Sequence, residues 1–197
     1  DVYKRQQQDS KKVDALMQEL MKERMKRWLD LILQRVDPKK TVIVVMPGND
    51  DEKVIDPVIQ SYEDRGVIYP LDKVINLCYD FEMISLDYAN PTPWNTPREC
   101  SEAELEKMVE RLFNKVKDYK KTICNFHCPP YGTRLDLAPK LDKKLRKVLQ
   151  AGQPVFIHVG STAIRKAIEK YQPMIGLHGH IHESFADDKV GNTPVVN

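Results

Sequence analysis

Apolar residues along this chain alternate between helical spacing and short continuous runs, the pattern of an α/β protein. Residues from about Asp9 to Val36 predict a long amphipathic helix, with Val13, Leu16, Met17, Leu20, Trp28, Leu31 and Ile32 near one stripe and Pro38 beyond its end. Thr41–Met46 is a continuous, mostly β-branched run that predicts a buried strand, ended by Pro47-Gly48. Val54, Ile55, Val58, Ile59 and Tyr62 then predict a helix over 52–64. Lys73–Cys78 and Phe81–Asp87 predict two strands joined at Tyr79-Asp80 as a hairpin. Asn90–Pro97, with three prolines, predicts a functional loop. Ser101 with Glu104 forms a capping box before a helix carrying Leu105, Met108, Leu112, Phe113, Val116 and Tyr119. Further on, Thr122–Phe126, Pro154–Val159 and Met174–His178 predict strands, Leu137–Leu149 and Ser161–Tyr171 predict helices, and Thr193–Asn197 reads as a strand.

Composition narrows the class. The 197 residues are 41% hydrophobic and 30% charged, with a net charge of +2. That supports a packed core and gives no global argument for nucleic acid or a membrane surface. The basic pairs Lys11-Lys12, Lys39-Lys40, Lys120-Lys121 and Lys143-Lys144 are scattered beside acids and read as solvated faces. No apolar run approaches the roughly 18 residues of a spanning helix and no signal peptide opens the chain, so no membrane partner and a cytoplasmic setting are expected. The four cysteines, 78, 100, 124 and 128, lack a disulfide framework spacing. The first residues lack helical or strand pattern, and the chain ends within a strand-like stretch. It is expected to be a fragment: a lead over 1–8, then one partial domain over 9–197.

Three polar clusters follow predicted strands: Gly48-Asn-Asp-Asp51, His127 within Asn125–Gly132, and Gly179-His-Ile-His182. In open α/β sheets, ligand sites gather beyond the carboxyl ends of strands. In an extended segment His180 and His182 would face one side and share one metal or serve two. Each cluster alone also has an ordinary structural reading as turn or loop chemistry. Their joint placement at strand ends is the stronger signal.

In this order the residues resemble the second half of the calcineurin-like metallophosphoesterases, over about Thr41–Asn197. MPGNDD (46–51), NPTPWNTPRE (90–99), HVGSTAIR (158–165) and above all GLHGHIHES (176–184) resemble a poorly characterised prokaryotic branch. The resemblance implies a four-layer α/β/β/α metallophosphoesterase sandwich, here incomplete at both termini. It implies a metal-dependent phosphoester hydrolase with two divalent metal ions (manganese, iron or zinc) and a bridging hydroxide. Asn49, His127 and His180 match ligands of one metal, and His182 a ligand of the other. The family also uses an Asp-x-His and a Gly-Asp, and no segment before Asn49 matches either. The intact parent is therefore expected to be the enzyme, and this chain alone to be inactive.

The family usually places His after its Asn, where this chain has Asp50. Asp50 is a candidate general acid, or simply a residue that opens the next helix. Arg98 is a candidate for meeting a substrate phosphate, or for a salt bridge. His158, before the helix that begins near Ser161, is a candidate substrate-binding residue beside a helix N-terminus, or a structural histidine. His178 reads as buried support or packing. Cys124 and Cys128 read as small buried residues, with Cys128 near the metal. Trp94 and Tyr131 are pocket walls or loop anchors. The expected partner is a small phosphoester or a nucleotide, with no strong nucleic-acid signal. A non-catalytic interaction scaffold on the same fold is the alternative, and the missing ligands fit it.

Overall fold

The structure, a computed structural model, describes the backbone of residues 2–197 and the side chains of residues 11–197. The chain divides into two compact units, residues 1–47 with 51–69, and residues 48–50 with 70–197.

In the first unit, helix α1 spans Val2–Arg35 rather than starting near Asp9. The expected lead over residues 1–8 lies outside the described side chains. The expected stripe is not the buried one: Val13, Leu16, Met17, Leu20, Trp28 and Leu31 are exposed, whereas Leu29 is fully buried. Leu29 and Leu31 are about 200° apart around the helix, so α1 has two apolar faces and the narrower one packs. The run at 41–46 yields only a short strand, β1 (Ile43–Val44), parallel to β2 (Val67–Ile68). Its partner is short because Gly66, at φ +90°, and Pro70 bracket it. The expected helix over 52–64 is broken into α2 (Asp56–Gln60) between two 3-10 turns. Pro57 in the first turn of α2 brings no N–H to bond upstream. At the other end, the Ser61 hydroxyl donates to the Val58 carbonyl at 2.7 Å and competes with continuation.

The second unit is a mixed α/β fold. Its six strands are β3 (Val74–Asn76), β4 (Glu82–Leu86), β5 (Thr122–Phe126), β10 (Ile175–Leu177), β11 (Asp187–Val190) and β12 (Thr193–Val196). They form one sheet in the order β11-β12-β10-β5-β4-β3. The four inner strands are parallel and both edges are antiparallel. The β3–β4 hairpin turns at Tyr79-Asp80 as expected, with φ +50° and +67°, the pairing that suits the strand twist. Strand β11 was hidden in the sequence because an edge strand of Asp187, Asp188 and Lys189 carries no apolar alternation.

Helices α3 (Glu102–Phe113) and α4 (Thr162–Tyr171) supply Leu105, Val109, Phe113, Ile164 and Ile168 to a core with Ile84 and Phe126. The Phe113 ring stacks on Tyr171 at 4.2 Å. The capping box forms as read: Ser101 Oγ accepts from Glu104 N, and Glu104 accepts from Ser101 N. The expected helix over 137–149 does not form. Those residues build β6 (Leu137–Pro139), a turn, and β7 (Leu149–Gln150), followed by β8 (Gln153–Pro154) and β9 (Phe156–His158), with β9 antiparallel to β6. A helix there would stack Lys140, Lys143, Lys144 and Lys147 at like-charge i,i+3 and i,i+4 spacings.

Candidate metal centre

Parallel pairing puts the carboxyl ends of β4, β5 and β10 on one side, with Leu86 opposite Phe126 and Leu177 opposite Asn125. His127 directly follows β5, and His180 follows β10. Asn49 comes from the 48–50 segment. Its Oδ1 lies 2.9 Å from His127 Nε2 and 2.9 Å from His180 Nδ1. The residues separated by 78 and 131 positions in sequence thus meet at one oxygen.

Each member is held in place. The Asn49 amide donates to Thr96 Oγ1 at 2.8 Å, and that hydroxyl donates to Glu99 Oε1 at 2.6 Å. Arg98 N donates to Asn49 O at 3.2 Å. Gly48 has no room for a side chain, since a Cβ would stand 2.7 Å from His127 Cε1. Gly179 N donates to His127 O at 2.9 Å. The segment 178–182 is not the extended stretch expected. His180 itself takes φ +68°, a conformation that a β-carbon disfavours and that functional sites retain. His178 Nδ1 lies 2.9 Å from Phe126 O and 3.0 Å from Cys128 O, so its N–H clamps both sides of His127. Its Nε2 is buried without a hydrogen-bond partner among the described residues.

The electrostatics keep these imidazoles neutral. Burial, then the charges of His180, His182 and His178, pull the His127 pKa down to about 4. Burial lowers His180 as well, opposed by the carboxylates of Asp50 and Glu99. Burial takes His178 to about 4 against the pull of its two carbonyl partners. Burial acts to raise Glu99, but hydrogen bonds from Thr92 and Thr96 outweigh it and hold its carboxyl below the usual value. A neutral imidazole is the form that ligates a metal.

The other candidates fall out differently. His182 acts on His127 and His180 through its charge, but its ring makes no hydrogen bond among the described residues. Asp50 is exposed and reaches His180 only electrostatically. Arg98, expected as a phosphate ligand, is buried and paired with Asp87 at 2.6 Å, which removes its guanidinium from any substrate. His158 does not join the cluster through a hydrogen bond. Its Nδ1 lies 2.7 Å from Asp136 Oδ1, and the buried Asp136 carboxylate also takes the amides of Gly132, Thr133 and Gly160 at 3.0 Å. The helix N-terminus beyond His158 is occupied by the protein itself. Glu102 accepts from Ser161 Oγ at 2.8 Å, Thr162 N at 3.1 Å and Ala163 N at 2.8 Å. A phosphate has no place there. Cys128 donates to Asn90 Oδ1, and burial pushes its thiol up to about 12. Trp94 and Tyr131 are exposed. The Thr96–Glu99 support of Asn49 was missed in the sequence, where only the prolines of that loop stood out.

Among the described residues, no group of three or more His, Cys, Asp or Glu side chains is gathered as a metal site. The third donor of this cluster is an amide oxygen. The fit can still be tested on distances. Metal–ligand bonds of about 2.1 Å put adjacent donors of an octahedron about 3.0 Å apart. The two 2.9 Å separations around Asn49 Oδ1 match that edge, and they match ordinary N–H···O bonds in the metal-free protein. The donor set fits a borderline cation.

No family model matches the chain. It is 35% identical over 157 residues to the uncharacterized protein MJ1162 of Methanocaldococcus jannaschii, across 79% of this chain and 62% of that protein. The chain thus spans about three fifths of the length of the curated relative it matches. One crystal structure superposes with a TM-score of 0.68 at 18% identity, over 94% of this chain and 66% of the other, and shows a shared fold. TT1561 of Thermus thermophilus gives a TM-score of 0.49 at 14% identity, over 78% of this chain and 60% of its own. No helix among the described residues is long and apolar enough to cross a membrane.

Proposed function

We propose that this chain carries the asparagine–histidine portion of a dinuclear metallophosphoesterase site, on the calcineurin-like four-layer sandwich, and that its parent hydrolyses phosphoesters. The observation behind this reading is the single Asn49 oxygen, 2.9 Å from both His127 Nε2 and His180 Nδ1. Asn49, His127 and His180 would hold one divalent ion and His182 would contribute to a second. When bound, such ions activate water and neutralise charge on a phosphoryl group. The chain's own part is preparation. Thr96 and Glu99 orient the Asn49 amide so that its oxygen faces the imidazoles. Burial keeps His127 and His180 uncharged near pH 7, so each ring can ligate after moving its proton to the other ring nitrogen, with no net charge to lose. Asp50, exposed beside His180, is the candidate to act on the leaving group. The substrate class is a phosphomonoester or diester, nucleotides included.

The test is calorimetric titration of Mn²⁺ and Zn²⁺ into the chain and its Asn49→Ala and His180→Ala variants, alongside hydrolysis of bis-p-nitrophenyl phosphate by the parent. The reading predicts saturable metal binding that both variants weaken, and parent hydrolysis that His180→Ala abolishes without unfolding. Absence of metal binding would move the assignment to an interaction scaffold.

A further inference from the structure

The second unit carries an arm that the candidate metal centre does not use. Residues 140–155 leave β6 and return into β9 as a hydrogen-bonded ribbon: Lys140 N donates to Val155 O at 2.7 Å, Val148 N to Lys140 O at 2.8 Å, and Val155 N to Val148 O at 3.0 Å. The tip is a rigid turn built by one carboxylate. Asp142 Oδ1 accepts from Lys144 N at 2.8 Å and Arg146 N at 3.0 Å, while its Oδ2 takes Arg146 Nε and Nη2 at 2.9 and 2.8 Å. The acid of the arm is therefore spent on its arginine.

What the turn displays is basic and apolar. Lys140, Lys143, Lys144 and Lys147 are exposed and make no ion pair among the described residues. In sequence Lys143-Lys144 looked like one more solvated pair. Folding gathers it with two further lysines on one short ribbon. Between them Leu145 stands at φ +58°, about half exposed, in a conformation that Gly or Asn would adopt with less strain. Leu149, farther along the arm, and Phe156, which opens β9 at its base, are also more than half exposed. An exposed leucine in a strained turn, surrounded by unpaired lysines, contributes little to the fold that holds it.

We infer that this arm docks the protein on an anionic lipid surface, with Leu145 entering the acyl boundary and the four lysines meeting headgroup phosphates. Charge complementarity selects an anionic partner. Residues 140–155 carry no aromatic side chain, so the aliphatic tip selects lipid over single-stranded nucleic acid, which calls for aromatic stacking platforms. An apolar insertion and a polybasic patch together supply the two signals that stable peripheral binding needs.

The test is co-sedimentation of the full chain with vesicles of phosphatidylcholine alone or mixed with phosphatidylglycerol. Binding is expected only to the anionic vesicles, and it should fall as salt is raised. Lys143→Gln with Lys144→Gln should lower the partition coefficient about twenty-five-fold, at about fivefold for each lysine. Leu145→Asn should weaken binding while leaving thermal stability unchanged or higher, because Asn accepts the left-handed turn; this separates docking from folding. Absence of binding, equal binding to neutral vesicles, or binding that survives both changes would overturn the inference. Binding of a labelled single-stranded oligonucleotide that needs these lysines, without vesicle binding, would replace lipid by nucleic acid.

Discussion

Asn49 Oδ1 stands 2.9 Å from His180 Nδ1, and the same oxygen stands 2.9 Å from His127 Nε2. In the metal-free protein both ring nitrogens must carry hydrogen, because oxygen lone pairs cannot face nitrogen lone pairs at that distance. Asn49 is then a double acceptor. Replacement by alanine leaves two largely buried imidazole N–H groups unpaired, at about 1–3 kcal/mol for each buried orphan. Asn49→Ala is expected to lower the urea midpoint of the metal-free chain and to weaken Mn²⁺ or Zn²⁺ binding. An unchanged midpoint would place the two imidazoles in water rather than against Asn49.

His178 gives the chain a pH limit. Its pKa is about 4 in the fold and near 6.5 when unfolded. As pH falls the unfolded state takes the proton first. The stability from neutral His178 is therefore fully present above pH 6.5 and is lost progressively toward pH 4, amounting to about 3 kcal/mol. His127, also near 4, acts in the same direction. Urea melts of the metal-free chain between pH 7.5 and pH 4 should show the loss, between the unfolded value near 6.5 and the folded values of about 4. In His178→Phe the slope should be shallower.

Gly48 is packed by the ring it helps to position. A Cβ at that site would come within 2.7 Å of His127 Cε1 and 2.8 Å of Nε2, closer than carbon atoms tolerate. The His127 ring is hemmed in by Asn49 and its neighbours, so it cannot swing aside without breaking its hydrogen bond. Gly48→Ala should reduce metal affinity at least tenfold, or about 1.4 kcal/mol, by titration calorimetry. Far-ultraviolet dichroism should stay unchanged, because the segment lies outside regular structure.

The elements that were legible in the sequence are those whose local signal agrees with their packing. The Tyr79-Asp80 turn, the Ser101–Glu104 capping box and the Thr122–Phe126 strand each carry a local reason for their shape. The 137–149 stretch misled because its apolar spacing fits a helix while its lysine spacing opposes one. Helix α1 misled because a helix with two apolar faces does not announce which one packs. Asn49, His127, His180 and His182 stand out in the sequence by their positions after predicted strands, and the fold brings Asn49, His127 and His180 together. That His180 meets Asn49 while His182 does not hydrogen-bond depends on a left-handed backbone at His180, which residue type does not signal. The Glu102 carboxylate on the α4 N-terminus depends on α3 lying beside α4, a tertiary fact invisible along the chain.

Arg98 makes the contrast sharpest. In sequence its place within a proline-rich loop suggests a phosphate ligand. In the fold it is 2% exposed, and its Nη1 donates to Asp87 Oδ2 at 2.6 Å. The loop on either side of it is the one that orients Asn49, through Thr96 and through the Arg98 amide itself. Removing the guanidinium would take the counter-charge from a buried Asp87 carboxylate, which typically costs about 3–5 kcal/mol. Arg98→Met should therefore lower the melting midpoint strongly. Asp87→Asn in the same chain should recover part of it by removing the uncompensated charge. If the proposed hydrolysis is real and Arg98 instead meets its substrate, Arg98→Met would raise the KM for bis-p-nitrophenyl phosphate while the melting midpoint held. A large thermal loss, partly restored in the double variant, separates these outcomes.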